Sequence, residues 1–117
     1  MPVHWGGASP DMFEIMKIAK KYNLKVVEDA CMGIGASLKS KSPGTFGDVS
    51  AFSLHPLKSL NAMGDGGAVV TNNKKIFQWL LKYRNHGMIN RDTISIWGEN
   101  KRMQPLQAIV GLFLLHQ

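Results

Sequence analysis

The residues able to do chemistry fall into three short segments. The first is the adjacent pair Glu28-Asp29, at the end of the apolar run that includes Val26 and Val27. Neighbouring strand residues point to opposite faces, so these carboxylates make a poor acid/base pair and at most one of them reaches a given site. The second is Ser53-Leu54-His55-Pro56-Leu57-Lys58, a serine and a lysine five residues apart, just past another apolar run. The third is Gly64-Asp65-Gly66-Gly67, whose glycines permit positive φ and close backbone approach. Taken singly, each has a plain structural reading: a solvated strand-end carboxylate, a surface lysine and a turn. Cys31 reads as a small buried residue rather than a nucleophile. His4, His55 and His86 read as structural or exposed. No His/Cys/Asp cluster has metal-ligand spacing, so no metal is expected.

The elements that would position these groups follow from pattern. Ser9-Pro10-Asp11 opens a helix: serine as N-cap, proline at the first helical position, an acid at the positive end of the dipole. Met12, Ile15, Met16, Ala19 and Tyr22 then form an apolar stripe, and Asn23 is suited to the C-terminal stop. Leu24 to Asp29 reads as a strand, followed by a polar, glycine-containing stretch from Gly33 to Gly47. Asp48 to Leu54 and Ala68 to Thr71 read as two further strands. Asn72 or Asn73 caps a helix from Lys74 to about His86, stopped by Gly87. Arg91 to Trp97 fits neither period clearly, and Met103 to His116 is apolar enough for a buried helix with Pro105 in its first turn. This order predicts an α/β layer arrangement around a mainly buried sheet.

Composition narrows the class of protein. The 117 residues contain 14 basic and 8 acidic side chains, a formal net charge of +6. The basic residues are scattered and no stripe interleaves arginine with aromatics, so nucleic-acid binding has only net charge behind it. That reading, a small basic nucleic-acid-binding module, predicts an affinity that falls steeply with salt. No apolar run is long enough to span a membrane, the N-terminus lacks the pattern of a signal peptide, and one cysteine cannot form an internal disulfide. A cytoplasmic protein acting on a small or phosphorylated substrate is the expectation. The chain ends in mid-helix by pattern and begins without a preceding core, so both ends are expected to be cut from something longer.

Taken together, the three segments carry more information. VVEDACMGIGA, GTFGDVSAFSLHPLKSLNAMGDGGAVVT, YRNHGM and GENKRMQPLQAIVGL, in that order, resemble the DegT/DnrJ/StrS family of sugar aminotransferases, which are fold-type I pyridoxal-phosphate enzymes. The most specific part runs from Phe46 to Thr71. The resemblance implies an α/β fold, part of a fold-type I large domain with a mixed, mostly parallel sheet flanked by helices. It implies pyridoxal 5'-phosphate as cofactor, which serves as an electron sink. Lys58 matches the lysine that bonds the cofactor aldehyde and then shuttles a proton, roles that suit a lysine in a desolvated site. Asp29 matches the carboxylate paired with the protonated pyridine nitrogen, and Ser53 matches a hydroxyl that donates to the cofactor phosphate. Asn100 matches an asparagine that reaches the phosphate of a neighbouring subunit, which implies a homodimer. Arg102 fits the same local pattern, whereas Glu99 stands where the family usually has an aromatic residue. Met32 stands where many members carry Gln or His near the ring, and a thioether packs on a ring face but makes only weak hydrogen bonds.

The resemblance further implies transfer of an amino group from an amino acid, commonly glutamate, to a nucleotide-linked keto sugar. Related sugar dehydratases of the same fold carry histidine in place of the cofactor lysine, so Lys58 favours amination over that alternative and over a non-catalytic regulator. Full members are roughly three times this length. Residues 1–117 are therefore expected to be an internal piece of the large domain, without the upstream phosphate-gripping loop or the small domain. Alone, they are expected to bind cofactor poorly and not to turn over.

Overall fold

The computed structural model describes residues 1–116. Asp11 starts the first helix, α1 (Met12–Lys21), by accepting a hydrogen bond from the Glu14 N–H through Oδ1 at 3.1 Å. The cap is thus Asp11 and not Ser9, whose hydroxyl is turned inward onto His4 at 3.0 Å. Asn23, at φ 51°, ends the helix in the left-handed conformation that asparagine tolerates. Met12 and Ala19 lie on the inner face of α1 and form the buried core with Val26 and Phe46.

Three strands make the central sheet: β1 (Val27–Asp29), β2 (Val49–Ser53) and β3 (Gly67–Val70), in the order β1-β2-β3. β1 runs parallel to β2, with Asp29 opposite Ala51; β2 runs antiparallel to β3, with Ser53 opposite Gly67. The sheet is therefore mixed. β1 is shorter than the apolar run suggests, because the Val26 N–H goes to the Asp48 carboxylate at 2.9 Å instead of extending a ladder. The expectation of a mainly buried sheet is not met among the described residues: all four residues of β3 are exposed. A close backbone approach explains Gly67, since a Cβ there would sit 2.7 Å from the Phe52 carbonyl oxygen.

Asn73 caps the second helix, α2 (Lys74–Tyr83), accepting from the N–H groups of Lys75 and Ile76 at 2.9 and 3.2 Å. The chain then turns through His86 and Gly87, both at positive φ, into a two-stranded hairpin. Its strands are β4 (Met88–Asn90) and β5 (Thr93–Ile94), which resolve the ambiguous stretch. The last helix, α3 (Pro105–Leu114), has proline in its first turn and is capped by Gln104 with Gln107. It is not buried as its apolarity predicts: no residue of α3 is buried, and Leu106, Ile109, Leu112 and Phe113 are exposed. The whole is a thin slab, 45 × 38 × 18 Å. Among the described residues no helix is long and apolar enough to cross a membrane.

Candidate active site

The parallel register of β1 and β2 puts Asp29, Ala51 and Ser53 on one face of the sheet and Glu28, Ser50 and Phe52 on the other. The chemical candidates sit at the C-terminal ends of these two strands. Beyond β1 the chain turns sharply, and Asp29 Oδ1 accepts a hydrogen bond from the Cys31 N–H at 3.1 Å. The Cys31 thiol and backbone N–H, with Lys58 nearby, hold the Asp29 carboxyl below its ordinary value against the partial burial that would raise it. Asp29 is therefore an anion with a positive neighbour. Burial, and then the negative charge of Asp29, push the Cys31 thiol up, which makes it a neutral group and a weak nucleophile.

Beyond β2 the chain makes a turn closed by the Lys58 N–H donating to the His55 carbonyl at 2.9 Å. His55 Nδ1 accepts the Leu57 N–H at 3.2 Å, so this exposed histidine serves the turn. The loop is pinned at its base, where the Leu54 N–H donates to Gly66 and the Ala62 N–H donates to Leu54. This arrangement delivers Lys58, half-buried, into a pocket of about 210 Å³ lined by Cys31, Met32, Ile34 and Lys58 among others. Met32 thus faces the same space as the lysine.

Lys58, Met32 and, through Cys31, Asp29 are brought together. Ser53 stands on the Asp29 face at the end of β2, with its hydroxyl accepting the His55 N–H at 3.2 Å. Asn100 does not line the pocket. It pairs with Asn85 next to the end of α2, and its side-chain oxygen accepts the Arg102 Nε–H at 3.1 Å. Arg102 also donates to Asn85 Oδ1 at 3.3 Å. Glu99, the departure from the family pattern, is satisfied locally by the Tyr83 hydroxyl and the Lys101 amine, both at 2.8 Å.

The feature that sequence reasoning missed lies on the opposite face of β1. Glu28 and His4 are both fully buried and joined at 2.9 Å. Only the adjacency of Glu28 to Asp29 pointed there, because a contact spanning 24 residues leaves no periodic trace in sequence.

A half-buried lysine and an ionised carboxylate at the C-terminal ends of neighbouring strands suit an α/β cofactor enzyme, and solved structures define the class. The chain superposes on PseC of Helicobacter pylori, an aminotransferase of pseudaminic acid biosynthesis, with a TM-score of 0.92 and 30% identity, covering 97% of this chain and 32% of that one. It superposes on NtdA of Bacillus subtilis, solved with bound cofactor PMP, with a TM-score of 0.85 and 35% identity, covering 94% and 25%. The fold is that of a partial fold-type I aminotransferase domain. The chain belongs to the DegT/DnrJ/EryC1/StrS aminotransferase family, whose model matches residues 1–117. Among curated relatives, the UDP-N-acetyl-3-dehydro-α-D-glucosamine 3-aminotransferase of Acidithiobacillus ferrooxidans is 40% identical over 110 residues, 94% of this chain and 30% of that protein. The chain thus spans about a third or less of the length of the relatives it matches.

Proposed function

We propose that this chain is the cofactor-lysine portion of a pyridoxal-phosphate-dependent aminotransferase that moves an amino group from an amino acid, glutamate by preference, to a nucleotide-linked keto sugar. The observation that carries the reading is one pocket lined by Lys58, Met32 and Cys31, with the Asp29 carboxylate held by Cys31. The donor set fits the cofactor. Lys58 offers an amine for its aldehyde, Asp29 an anion for its ring nitrogen, and Ser53 a hydroxyl for its phosphate.

When bound, pyridoxal phosphate supplies an electron sink for a carbanion. The chain's own residues do the rest. Lys58 Nζ would hold the cofactor through its aldehyde and would supply the amine that carries a proton. Asp29, its carboxyl held below the ordinary value, would favour a positive charge at the ring nitrogen. Met32, which lines the same pocket, would pack its thioether on the ring face and make only weak hydrogen bonds. Asn100, with its side-chain oxygen engaged by Arg102, keeps its amide N–H donors for a phosphate of a partner subunit in a homodimer.

Residues 1–117 act as part of a longer chain in this reading. The exposed apolar residues of α3 and the open β3 are the surfaces the remainder would cover. The test is the Lys58→Ala variant of the chain joined to its flanking coding sequence. Loss of amination of the keto sugar with glutamate, together with loss of the cofactor's visible absorption, supports the assignment; amination at the unsubstituted rate overturns it.

A further inference from the structure

Among the described residues Glu28 has the most heavily hydrogen-bonded side chain, and the chemistry assigned above does not use it. Its Oε1 accepts from the N–H groups of Phe46 and Gly47 at 2.8 and 2.6 Å and from the Ser50 hydroxyl at 3.1 Å. Its Oε2 accepts from the Gly44 N–H at 2.8 Å and from His4 Nε2 at 2.9 Å. A carboxylate can only accept, so His4 Nε2 carries a proton, and His4 Nδ1 is bonded to the Ser9 hydroxyl at 3.0 Å. Burial alone would push the Glu28 carboxyl up. The hydrogen bonds from Gly47, Gly44, His4 and Phe46 together outweigh burial and keep it below its ordinary value.

His4 grips two consecutive residues of β1 in two ways. Its ring takes Glu28, and its backbone N–H donates to the Asp29 carbonyl at 3.0 Å. The Asp29 N–H in turn donates to the Pro2 carbonyl at 2.9 Å, so residues 2–4 lie alongside Asp29 as a single added parallel pairing. That short segment has little else to hold it, since Met1 and Val3 are exposed. Both backbone groups of Asp29 therefore depend on a segment whose buried anchor is the His4–Glu28 bond.

We propose that Glu28 is a positioning residue: clamped by His4 and the 44–50 backbone on one face of β1, it fixes the direction in which Asp29 presents its carboxylate on the other. Glu28 does not line the pocket. It acts through two links, the rigid alternation of adjacent strand residues and the shared partner His4. The functional part of this inference rests on the reading of Asp29 given above.

The sign of one titration separates positioning from simple charge. Removing the negative charge of Glu28 lowers Asp29's pKa by relieving repulsion. Loosening β1 raises it, because Asp29 loses its fit to Cys31. The experiment follows the Asp29 carboxyl by carbon NMR across the acid range in the chain joined to its flanking coding sequence and in its Glu28→Gln variant. Glu28→Gln keeps the shape and turns one acceptor into a donor. The expected result is an upward shift of the Asp29 midpoint in the folded variant, with a severalfold loss of borohydride-trapped pyridoxal phosphate at Lys58. A downward or absent shift overturns the proposal. Should Glu28→Gln fail to fold, Ser9→Ala, which removes only the outer partner of His4, is expected to shift Asp29 upward by less; no shift there overturns it equally. Asp29→Asn separates the two claims. If it leaves trapping at Lys58 intact while Glu28→Gln still raises Asp29's midpoint, positioning stands and the cofactor role of Asp29 fails.

Discussion

Replacing Glu28 by alanine removes one side chain and leaves four buried groups without a partner. The Gly44 and Phe46 N–H groups, the Ser50 hydroxyl and the His4 ring all donate to it in buried surroundings, and the Gly47 N–H donates from a partly buried one. An unmet buried polar group costs about 1–3 kcal/mol. These costs do not add, because the groups share one cavity and water enters the space that the side chain leaves. Removing one partner of a buried charged contact costs about 3–5 kcal/mol, which is the loss expected for Glu28→Ala. Domains in general have about 5–15 kcal/mol in total, so the variant should lose a large share of its stability. The assay is urea unfolding followed by circular dichroism, comparing midpoints at equal slope. A loss below about 0.5 kcal/mol, the scale of an ordinary surface substitution, would refute the reasoning and mean that the hub is solvated.

Other outcomes follow from the same geometry. Glu28 has its folded-state pKa below the ordinary 4.5, so its contribution is fully present above that value and is lost as pH falls below it; the melting temperature of the chain should drop through that range, and Glu28→Gln should flatten the drop. Gly44 sits at φ 83° with the Phe52 ring where a Cβ would go, so Gly44→Ala combines left-handed strain of about 1–2 kcal/mol with overpacking of about 1–3 kcal/mol, measurable by urea unfolding. Asn73→Ala strips α2 of its N-cap and should cost about 1 kcal/mol in the same assay.

Local rules placed the candidate residues at strand ends, whereas their roles came from the family resemblance. Strand alternation separated Glu28 from Asp29, and the turn residues after β2 placed Lys58 beyond a strand end. The unread parts depend on contacts between distant segments. Ser9 has the chemistry of an N-cap, but His4 takes its hydroxyl and Asp11 caps instead. β1 begins late because Asp48, 22 residues on, captures the Val26 N–H. The Gly33–Gly47 stretch reads as polar loop, yet its backbone N–H groups converge on one buried carboxylate, which no periodicity reports. The apolarity of α3 shows that the helix needs cover but not which residues supply it, and none of residues 1–116 buries it.

The central question is whether Lys58 is the amine that bonds pyridoxal phosphate. Incubating the protein, joined to its flanking coding sequence, with the cofactor, reducing with borohydride and mapping the labelled peptides answers this. The prediction is a label concentrated on the peptide that contains Lys58, displaced by prior addition of glutamate and absent in Lys58→Ala. A label spread evenly over surface lysines such as Lys20, Lys74 and Lys75, and unchanged by Lys58→Ala, would contradict it.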